Sequence, residues 1–249
     1  MRFKAGLASG LAGVAMLLAA CSTETVLDMR GPRPDASVPT GGLQRLVPSN
    51  PFLVGYPRMT EPADPTVSLP AEEVECQRQL KKLGVSFEPL APIDDGGACQ
   101  VPFPVKISAI GRVNIKPAAT VSCRMALGFA QWTKEELTPA ARWRYFSGVH
   151  TIHQGSSYSC RNIRGSRTAS EHSKGNAMDV MRIELNSGKD IDVRKPGWFS
   201  FREKGLLSSV REDACGYFTT VLGPGYDRDH ADHFHFDIKE RRNGYRACR

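Results

Sequence analysis

Apolar residues recur at helical spacing in three stretches of the chain, and each stretch predicts an amphipathic helix. The stretches are residues 72–83, a longer one that starts at Thr120 or Ser122 and passes through Met125, Phe129 and Trp132, and residues 201–218. Gly84 directly follows the first stretch, which is typical of a helix end because glycine accepts the left-handed backbone conformation found there. We expect the aromatic residues of the second stretch to face the core.

Alternating apolar and polar positions between these stretches predict β-strands. The predicted strands cover residues 101–115, 148–160, 177–185, 189–193 and 233–238. Residues 94–97, Asp-Asp-Gly-Gly, predict a turn. This mixture of elements indicates an α+β domain, in which a small, mainly antiparallel sheet has helices packed on one side.

The first 20 residues have the pattern of an export signal. Arg2 and Lys4 are the only charged residues before an apolar run over residues 5–20, which is shorter than the roughly 20 residues of a membrane-spanning helix. The run ends in Leu-Ala-Ala directly before Cys21. It resembles a bacterial lipoprotein signal, in which Cys21 becomes the acylated first residue; the alternative is an ordinary signal peptide with an incidental cysteine.

Residues 21–70 are predicted to form a tether between this anchor and a folded domain at residues 71–249. Nine of the 17 prolines of the chain lie in this stretch, and proline interrupts helices by removing a backbone donor. We therefore expect a lipid-anchored protein on the periplasmic side of the cell envelope, at the outer membrane rather than the inner one.

Composition and charge narrow the set of partners. The chain is 41% hydrophobic and 24% charged, which excludes wholesale disorder and a multi-span membrane protein. Its net charge of +7 falls to about +5 without residues 1–20, a mild excess that suits a polyanionic envelope. No basic patch interleaved with aromatic residues indicates nucleic-acid binding. We expect a monomer that meets peptidoglycan.

Six cysteines besides Cys21 predict three disulfides, because an even number in an exported chain favours pairing. Many connectivities are possible, and pairing neighbours along the chain predicts Cys76–Cys99, Cys123–Cys160 and Cys215–Cys248. The cysteines form no CxxC pair, which argues against a cysteine zinc site. With no free thiol and no G-x-S-x-G motif, the chain also does not have the pattern of a serine or cysteine hydrolase.

Three of the six histidines lie within residues 230–235, in the sequence His-Ala-Asp-His-Phe-His. Phe234 and Phe236 alternate here with polar residues, and side chains two positions apart on a strand point to the same face. His233 and His235 should therefore project together while the phenylalanines enter the core. Two imidazoles on one face are a natural beginning of a divalent metal site.

A second polar cluster at residues 170–179 can complete such a site. It contains His172 and, seven positions later, Asp179 at the start of a predicted strand, with Gly175 allowing a turn between them. His172, Asp179 and His235 would give three protein ligands and one open position, as in catalytic zinc sites. His150 and His153 have no such companions, and we interpret them as ordinary strand or loop residues.

Residues from about 76 to 249 resemble the bacterial extensin-like C-terminal domain. The matching stretches are Pro92-Ile-Asp-Asp-Gly-Gly97, Ser159-Cys-Arg161, Ser170-Glu-His172, Asn176-Ala, Asp179, Val221-Leu-Gly-Pro224 and His230-Ala-Asp-His-Phe-His235. The last of these motifs is specific, and the resemblance covers most of the chain that remains after the signal.

The site motifs also resemble those of the zinc D-Ala-D-Ala peptidases and the penicillin-insensitive murein endopeptidases. These families use S-x-H-x-x-G-x-A-x-D followed by a strand that contains histidine. The matching residues are Ser170, His172, Gly175, Ala177 and Asp179. The resemblance implies a D-Ala-D-Ala-peptidase/hedgehog-like fold, with His172, Asp179 and His235 as zinc ligands.

The same resemblance implies roles for four further residues. His233 and His230 would act as general base or transition-state partners, and Arg161 would stabilise developing negative charge. The D-Ala-D-Ala group carries a glutamate three residues before its last ligand, where this chain has the shorter Asp232. The base is therefore either Asp232 or a histidine.

These observations predict a zinc-dependent peptidoglycan peptidase, an endopeptidase or carboxypeptidase that hydrolyses amide bonds of cell-wall peptide stems or crosslinks. The first alternative is a non-catalytic envelope lipoprotein that binds peptidoglycan and keeps the metal site. The second is a disulfide-bonded structural lipoprotein without a metal.

Overall fold

A computed structural model of the chain describes residues 69–194, 196–197 and 199–249. The predicted signal peptide, its acylated Cys21 and nearly all of the predicted tether lie outside the described residues. The first described helix begins at Ala71, and the last strand ends at Cys248.

Four α-helices are present in the described part of the chain. They are α1 (Ala71–Lys82), α2 (Cys123–Trp132), α3 (Thr138–Tyr145) and α4 (Phe201–Ala214), and a π-helical turn, Thr133–Leu137, joins α2 to α3. Ser122 begins α2 because its hydroxyl accepts a hydrogen bond from the Met125 backbone N–H. None of the described helices is long and apolar enough to cross a membrane.

Eleven β-strands are described. They are β1 (Val85–Pro89), β2 (Ile93–Asp94), β3 (Gln100–Val101), β4 (Pro104–Ile110), β5 (Val113–Ser122), β6 (Val149–Ser156), β7 (Ala177–Leu185), β8 (Asp190–Asp192), β9 (Thr220–Leu222), β10 (Phe234–Asp237) and β11 (Ala247–Cys248). Nine form one sheet in the order β1-β4-β5-β6-β7-β10-β9-β11, with β8 paired to β7, while β2 and β3 form a separate hairpin. Only the β5–β6 and β9–β11 pairs are parallel, so the predicted α+β class with a mainly antiparallel sheet is confirmed.

The helices and the main sheet share one hydrophobic core. Trp132 of α2 packs edge-on against Phe236 of β10, with ring centroids 5.0 Å apart, and its indole N–H donates to the Val210 carbonyl of α4 at 2.8 Å. Phe218 stacks on Phe236 at 4.8 Å. Phe218 lies after α4, which ends at Ala214 and not at residue 218 as predicted.

Three disulfides join cysteines of the described residues, and two of the predicted pairings are wrong. Cys76 pairs with Cys123 and Cys99 with Cys160, in place of the predicted Cys76–Cys99 and Cys123–Cys160. Cys215–Cys248 is confirmed.

The packing of the elements explains why these two disulfides differ from the predicted pairings. Helix α1 lies against α2, which places Cys76 beside the first residue of α2. The β2–β3 hairpin lies against the segment after β6, where the Tyr158 hydroxyl donates to Asp95 at 2.5 Å, and this brings Cys99 to Cys160.

Candidate metal centre

Strand β10 presents its polar residues on the side of the sheet away from the aromatic core. Phe234 and Phe236 are buried in that core, so His235 between them points to the opposite face. The register pairs His235 directly with Asp179 of β7. The His235 Nδ1 and the Asp179 Oδ1 are consequently only 2.9 Å apart.

His172 reaches the same point from a short 3-10 turn, Glu171–Lys174. The Ser170 hydroxyl accepts a hydrogen bond from the His172 backbone N–H, and Gly175 ends the turn with φ +66°. The His172 Nε2 lies 3.2 Å from the His235 Nδ1 and 3.3 Å from the Asp179 Oδ1.

The spacing of these three atoms matches a single coordination sphere. Atoms bound tetrahedrally to one zinc at about 2.0–2.1 Å lie about 3.3 Å from one another. The three residues are buried, and each offers a ligand atom within 4.8 Å of the others. The predicted convergence of His172, Asp179 and His235 is therefore confirmed, and this group could hold a metal ion.

Hydrogen bonds behind the cluster orient both imidazoles for a cation. The His172 Nδ1 donates to the Ser157 carbonyl at 2.7 Å, which leaves the Nε2 lone pair facing the cluster. The His235 Nε2 donates to Asp237 Oδ2 at 3.2 Å, which leaves the Nδ1 facing the cluster. Outer partners of this kind fix the tautomer and raise the basicity of metal-binding histidines.

The electrostatics of the cluster also favour a positive charge. Burial raises the pKa of Asp179, but hydrogen bonds from His172 and His235 outweigh it and hold this pKa well below its usual range. Burial lowers the pKa of His235, but the hydrogen bonds to Asp179 and Asp237 outweigh it and raise this pKa to about 9. Without a metal, the cluster therefore retains a proton that a bound cation would replace.

A cavity of about 400 Å³ lies over the cluster. Its lining includes the three candidate ligands together with Arg161, His230, His233, Lys239 and Arg241. A second cavity of about 520 Å³ adjoins α4 and β9 but has no histidine in its wall, so cavity volume does not identify this site.

His233 faces the cluster from the residue before β10. Its Nε2 is 3.6 Å from the Asp179 Oδ1, and its Nδ1 is 2.9 Å from the Asp232 Oδ1. The Asp232 side chain is 48% exposed and the His233 side chain 16%, so Asp232 lies on the outer side of His233. This arrangement places His233 nearest the cluster, with Asp232 holding its ring.

His230 and Arg161 also border the cluster. The His230 ring centroid lies 5.4 Å from that of His233 and 5.6 Å from that of His235, and its Nδ1 is 2.6 Å from Asp227. The Arg161 Nη2 lies 3.8 Å from the Asp179 Oδ2. The structure thus brings all four predicted catalytic residues to one place, three of them in the cavity wall.

His150 and His153 take no part in the cluster. Both lie on β6 and flank Glu184, at 3.5 Å from the His150 Nδ1 and 3.3 Å from the His153 Nε2. The pKa of Glu184 is lowered chiefly by the hydrogen bond from His153. Their surroundings agree with the interpretation as ordinary strand residues.

Sequence reasoning assigned no role to two of the groups that orient the cluster. Asp237 stands two positions after His235 on the same strand, so the alternation that pairs His233 with His235 could also have identified it. The Ser157 carbonyl has no sequence signal, because any residue supplies a backbone carbonyl. Lys239 and Arg241 follow β10 and reach the cavity wall only through the local fold.

Comparison with models of known protein families gives a match. The family model described as "Extensin-like protein C-terminus" matches residues 74–249. Neither the curated proteins nor the solved structures include a match to the chain. The matched segment contains every residue of the cluster and all three disulfides, and it spans well over half of the sequence. The chain therefore belongs to the extensin-like protein C-terminus family.

Proposed function

We propose that this protein is a zinc-dependent peptidase that hydrolyses amide bonds in the peptide stems or crosslinks of peptidoglycan. The observation that carries the proposal is the ligand geometry. Two imidazole nitrogens and one carboxylate oxygen lie 2.9–3.3 Å apart, in the wall of an accessible cavity. Three protein ligands that leave a fourth position free are typical of catalytic zinc sites.

The ligand types support zinc over the other common divalent cations. Calcium and magnesium prefer six or more oxygen ligands, whereas this cluster offers two nitrogens and a carboxylate. Imidazole suits zinc, and the separations of the three atoms fit tetrahedral bonds.

The surrounding side chains are placed to move protons and stabilise charge. His172, Asp179 and His235 would hold the zinc, which would act as a Lewis acid that makes water nucleophilic near neutral pH and polarises the scissile carbonyl. The His233 Nε2 faces the cluster and accepts the proton of the attacking water, while Asp232 holds the ring through the Nδ1. His233 then returns the proton to the leaving amine. Arg161 faces the negative charge that develops on the carbonyl oxygen.

The substrate class is supported by charge and by compartment. Arg161, Lys239 and Arg241 offer cationic groups to the carboxylates of peptide stems, in a cavity wall that also contains the acidic Glu171, Asp179, Asp229 and Asp237. The lipoprotein-like signal, the predicted tether and the disulfides agree with a protein that works in the cell envelope.

A direct test incubates purified cell-wall sacculi with zinc-loaded protein and analyses the soluble muropeptides. We expect new peptide fragments from the wild type, and a loss of rate of about 10²–10⁴-fold in His233→Ala, because the general base is removed while the ligands remain. His150→Ala is the matched control, since it removes a histidine that does not contact the cluster.

Zinc at full occupancy with no product would favour the non-catalytic peptidoglycan-binding alternative. Sedimentation of the protein with sacculi would then identify the binder. A zinc content near zero in the purified protein would contradict both and favour a structural lipoprotein.

A further inference from the structure

Four exposed aromatic side chains lie at the end of α3 and the start of α4. Trp143 is 82% exposed, Phe146 92%, Phe199 86% and Phe201 72%. The two helix ends are neighbours, since the Arg202 guanidinium lies 5.6 Å from the Tyr145 ring centroid. We call the four exposed aromatic residues and the arginines beside them, Arg142, Arg144 and Arg202, the aromatic–arginine patch.

Phe146 occupies a backbone conformation that does not suit it. It follows the last residue of α3 with φ +52°, in the left-handed region, and is the only described residue other than glycine with a positive φ. Helices usually place glycine there, because a bulky side chain is strained in this conformation. The strained residue is also the most exposed large apolar side chain in the described ranges, so neither packing nor backbone geometry accounts for a phenylalanine here.

The cations of the patch are available to an outside partner. Within the described part of the chain, no carboxylate lies within ion-pair distance of Arg142, Arg144 or Arg202. Other cations nearby are already paired, such as Lys189 with Glu203 at 2.6 Å. The patch therefore combines exposed apolar rings with uncompensated positive charge.

We infer that the aromatic–arginine patch docks on the surface of an anionic phospholipid membrane. Tryptophan and phenylalanine insert at the boundary between headgroups and acyl chains, while arginine binds the lipid phosphates. The charge of the patch is complementary to that of such a surface. This inference does not depend on the metal centre or on its chemistry.

The patch lies apart from the candidate metal centre in the fold. Strand β6 begins three residues after Phe146 and ends at Ser156, which pairs with Asp179 in the metal cluster. Seven steps of about 3.3 Å place the metal centre about 23 Å from the start of the strand. The patch is therefore a surface separate from the candidate metal centre.

The test uses the chain from residue 22 onward, which lacks the acylated cysteine but keeps every described helix, strand and disulfide. The protein is sedimented with vesicles made of equal parts phosphatidylethanolamine and phosphatidylglycerol, and in parallel with phosphatidylcholine vesicles. We expect binding to the anionic vesicles that weakens as salt is added, and much less binding to phosphatidylcholine.

Phe146→Gly should weaken anionic vesicle binding roughly tenfold or more, because the exposed aromatic ring that would insert into the lipid is lost. Its unfolding temperature should not fall, since glycine accepts the backbone conformation. Trp143→Ala and the pair Arg142→Glu with Arg202→Glu should also weaken binding. Tyr245→Ala and Arg242→Glu are matched controls, an exposed aromatic and an exposed cation outside the patch, and both should bind like the wild type.

Three results would overturn the inference. The first is no vesicle binding by the wild type, and the second is equal binding by wild type and patch variants. The third is that the patch variants lose binding to sacculi, or lose self-association, and not binding to vesicles. The metal content of the variants, measured in the same samples, keeps these outcomes separate from any failure of the metal centre.

Discussion

Asp237 orients the candidate metal centre without being one of its three candidate ligands. It is buried in β10, and its carboxylate accepts the His235 Nε2–H while a second oxygen accepts the Lys239 backbone N–H. Burial raises the pKa of Asp237, but the hydrogen bond from His235 outweighs it, so the carboxylate stays charged. The Nδ1 of His235 is thereby left facing the cluster as the candidate ligand atom.

We predict that Asp237→Ala weakens zinc affinity about 10–100-fold, because His235 loses the partner that sets its tautomer. Competition with a chromophoric chelator measures the change. Asp232→Ala is the matched control: it removes a carboxylate from His233, which is no ligand, so zinc affinity should stay unchanged while the rate falls. Equal affinities in Asp237→Ala and the wild type would mean that the assigned tautomer is wrong.

Zinc should also remove the pH dependence of stability that His235 creates. The folded pKa of about 9 lies above the ordinary 6.5, so the stabilisation is present below pH 6.5 and is lost as pH rises toward 9. We expect the free energy of unfolding of the metal-free protein to fall by up to a few kcal/mol between these pH values. With zinc bound, that proton is absent and the loss should disappear. Urea unfolding at both pH values, with zinc or with chelator, measures the difference, and His235→Gln should show the same profile in both.

At the scale of elements, the backbone turn that ends at Gly175 sets the position of the candidate ligand His172. Gly175 has φ +66°, and a Cβ atom there would lie 3.0 Å from the Ser122 backbone nitrogen at the start of α2. The Ser122 N–H in turn donates to the Gly175 carbonyl at 2.8 Å. The glycine therefore allows both the left-handed turn and the close approach of the two backbones.

Gly175→Ala should lower both stability and zinc affinity, since the turn must move and His172 moves with it. Gly165→Ala is a matched control: its φ is +71°, but a Cβ there meets nothing within 4 Å. The control should lose about 1–2 kcal/mol from the backbone conformation alone and keep its zinc affinity. Urea unfolding and chelator competition on both variants test this, and identical behaviour of the two would contradict the role given to the Ser122 contact.

Phe236 joins β10, the strand that carries His235, to the core. Its removal should lower both the stability of the fold and the affinity for zinc. It is fully buried between Trp132 and Phe218, so Phe236→Ala should destabilise the fold by about 3–5 kcal/mol through lost burial and a cavity. His235 and Asp237 flank it, so zinc affinity should fall as well. Urea unfolding measures the first change and chelator competition the second. Tyr245→Ala removes a half-exposed ring, so it should change the unfolding free energy by no more than about 0.5 kcal/mol and leave zinc affinity unchanged.

The elements that the sequence predicted correctly are those in which apolar residues recur with a clear period. Strand β7 has the predicted bounds, residues 177–185, and α2 begins after Ser122 as one of the two predicted starts requires. Helix α3 was missed because Ala141 is its only buried residue, so it has almost no apolar stripe. Strands β9 and β11 are three and two residues long, too short for an alternation to be visible.

At the scale of the whole molecule, features that depend on local spacing could be predicted from the sequence. Features that depend on the packing of distant segments could not. The strand alternation around His235 and the His172–Asp179 spacing are local, and the structure brings these three residues together. The pairing of Cys76 with Cys123 depends on α1 packing against α2, a contact between segments 47 residues apart. No local pattern contains that information, and pairing sequence neighbours was consequently wrong there.

Two of the disulfides lead to a last prediction, because they close loops of similar length in different parts of the fold. Cys99–Cys160 closes a separation of 61 residues and Cys76–Cys123 one of 47, so their loop-entropy contributions should differ by only a few tenths of a kcal/mol. Replacing either pair by serines should therefore cost a similar amount of stability, about 2–4 kcal/mol.

Their effects on the site should differ. Cys160 directly precedes Arg161, and the same segment supplies the Ser157 carbonyl that orients His172. Cys76–Cys123 joins two helices on the far side of the sheet from His235. Loss of Cys99–Cys160 should thus weaken zinc binding and slow any hydrolysis, whereas loss of Cys76–Cys123 should lower the unfolding free energy with zinc affinity retained. Unchanged zinc affinity after the loss of Cys99–Cys160 would show that the segment after β6 is held by its hydrogen bonds and packing, and not by the disulfide.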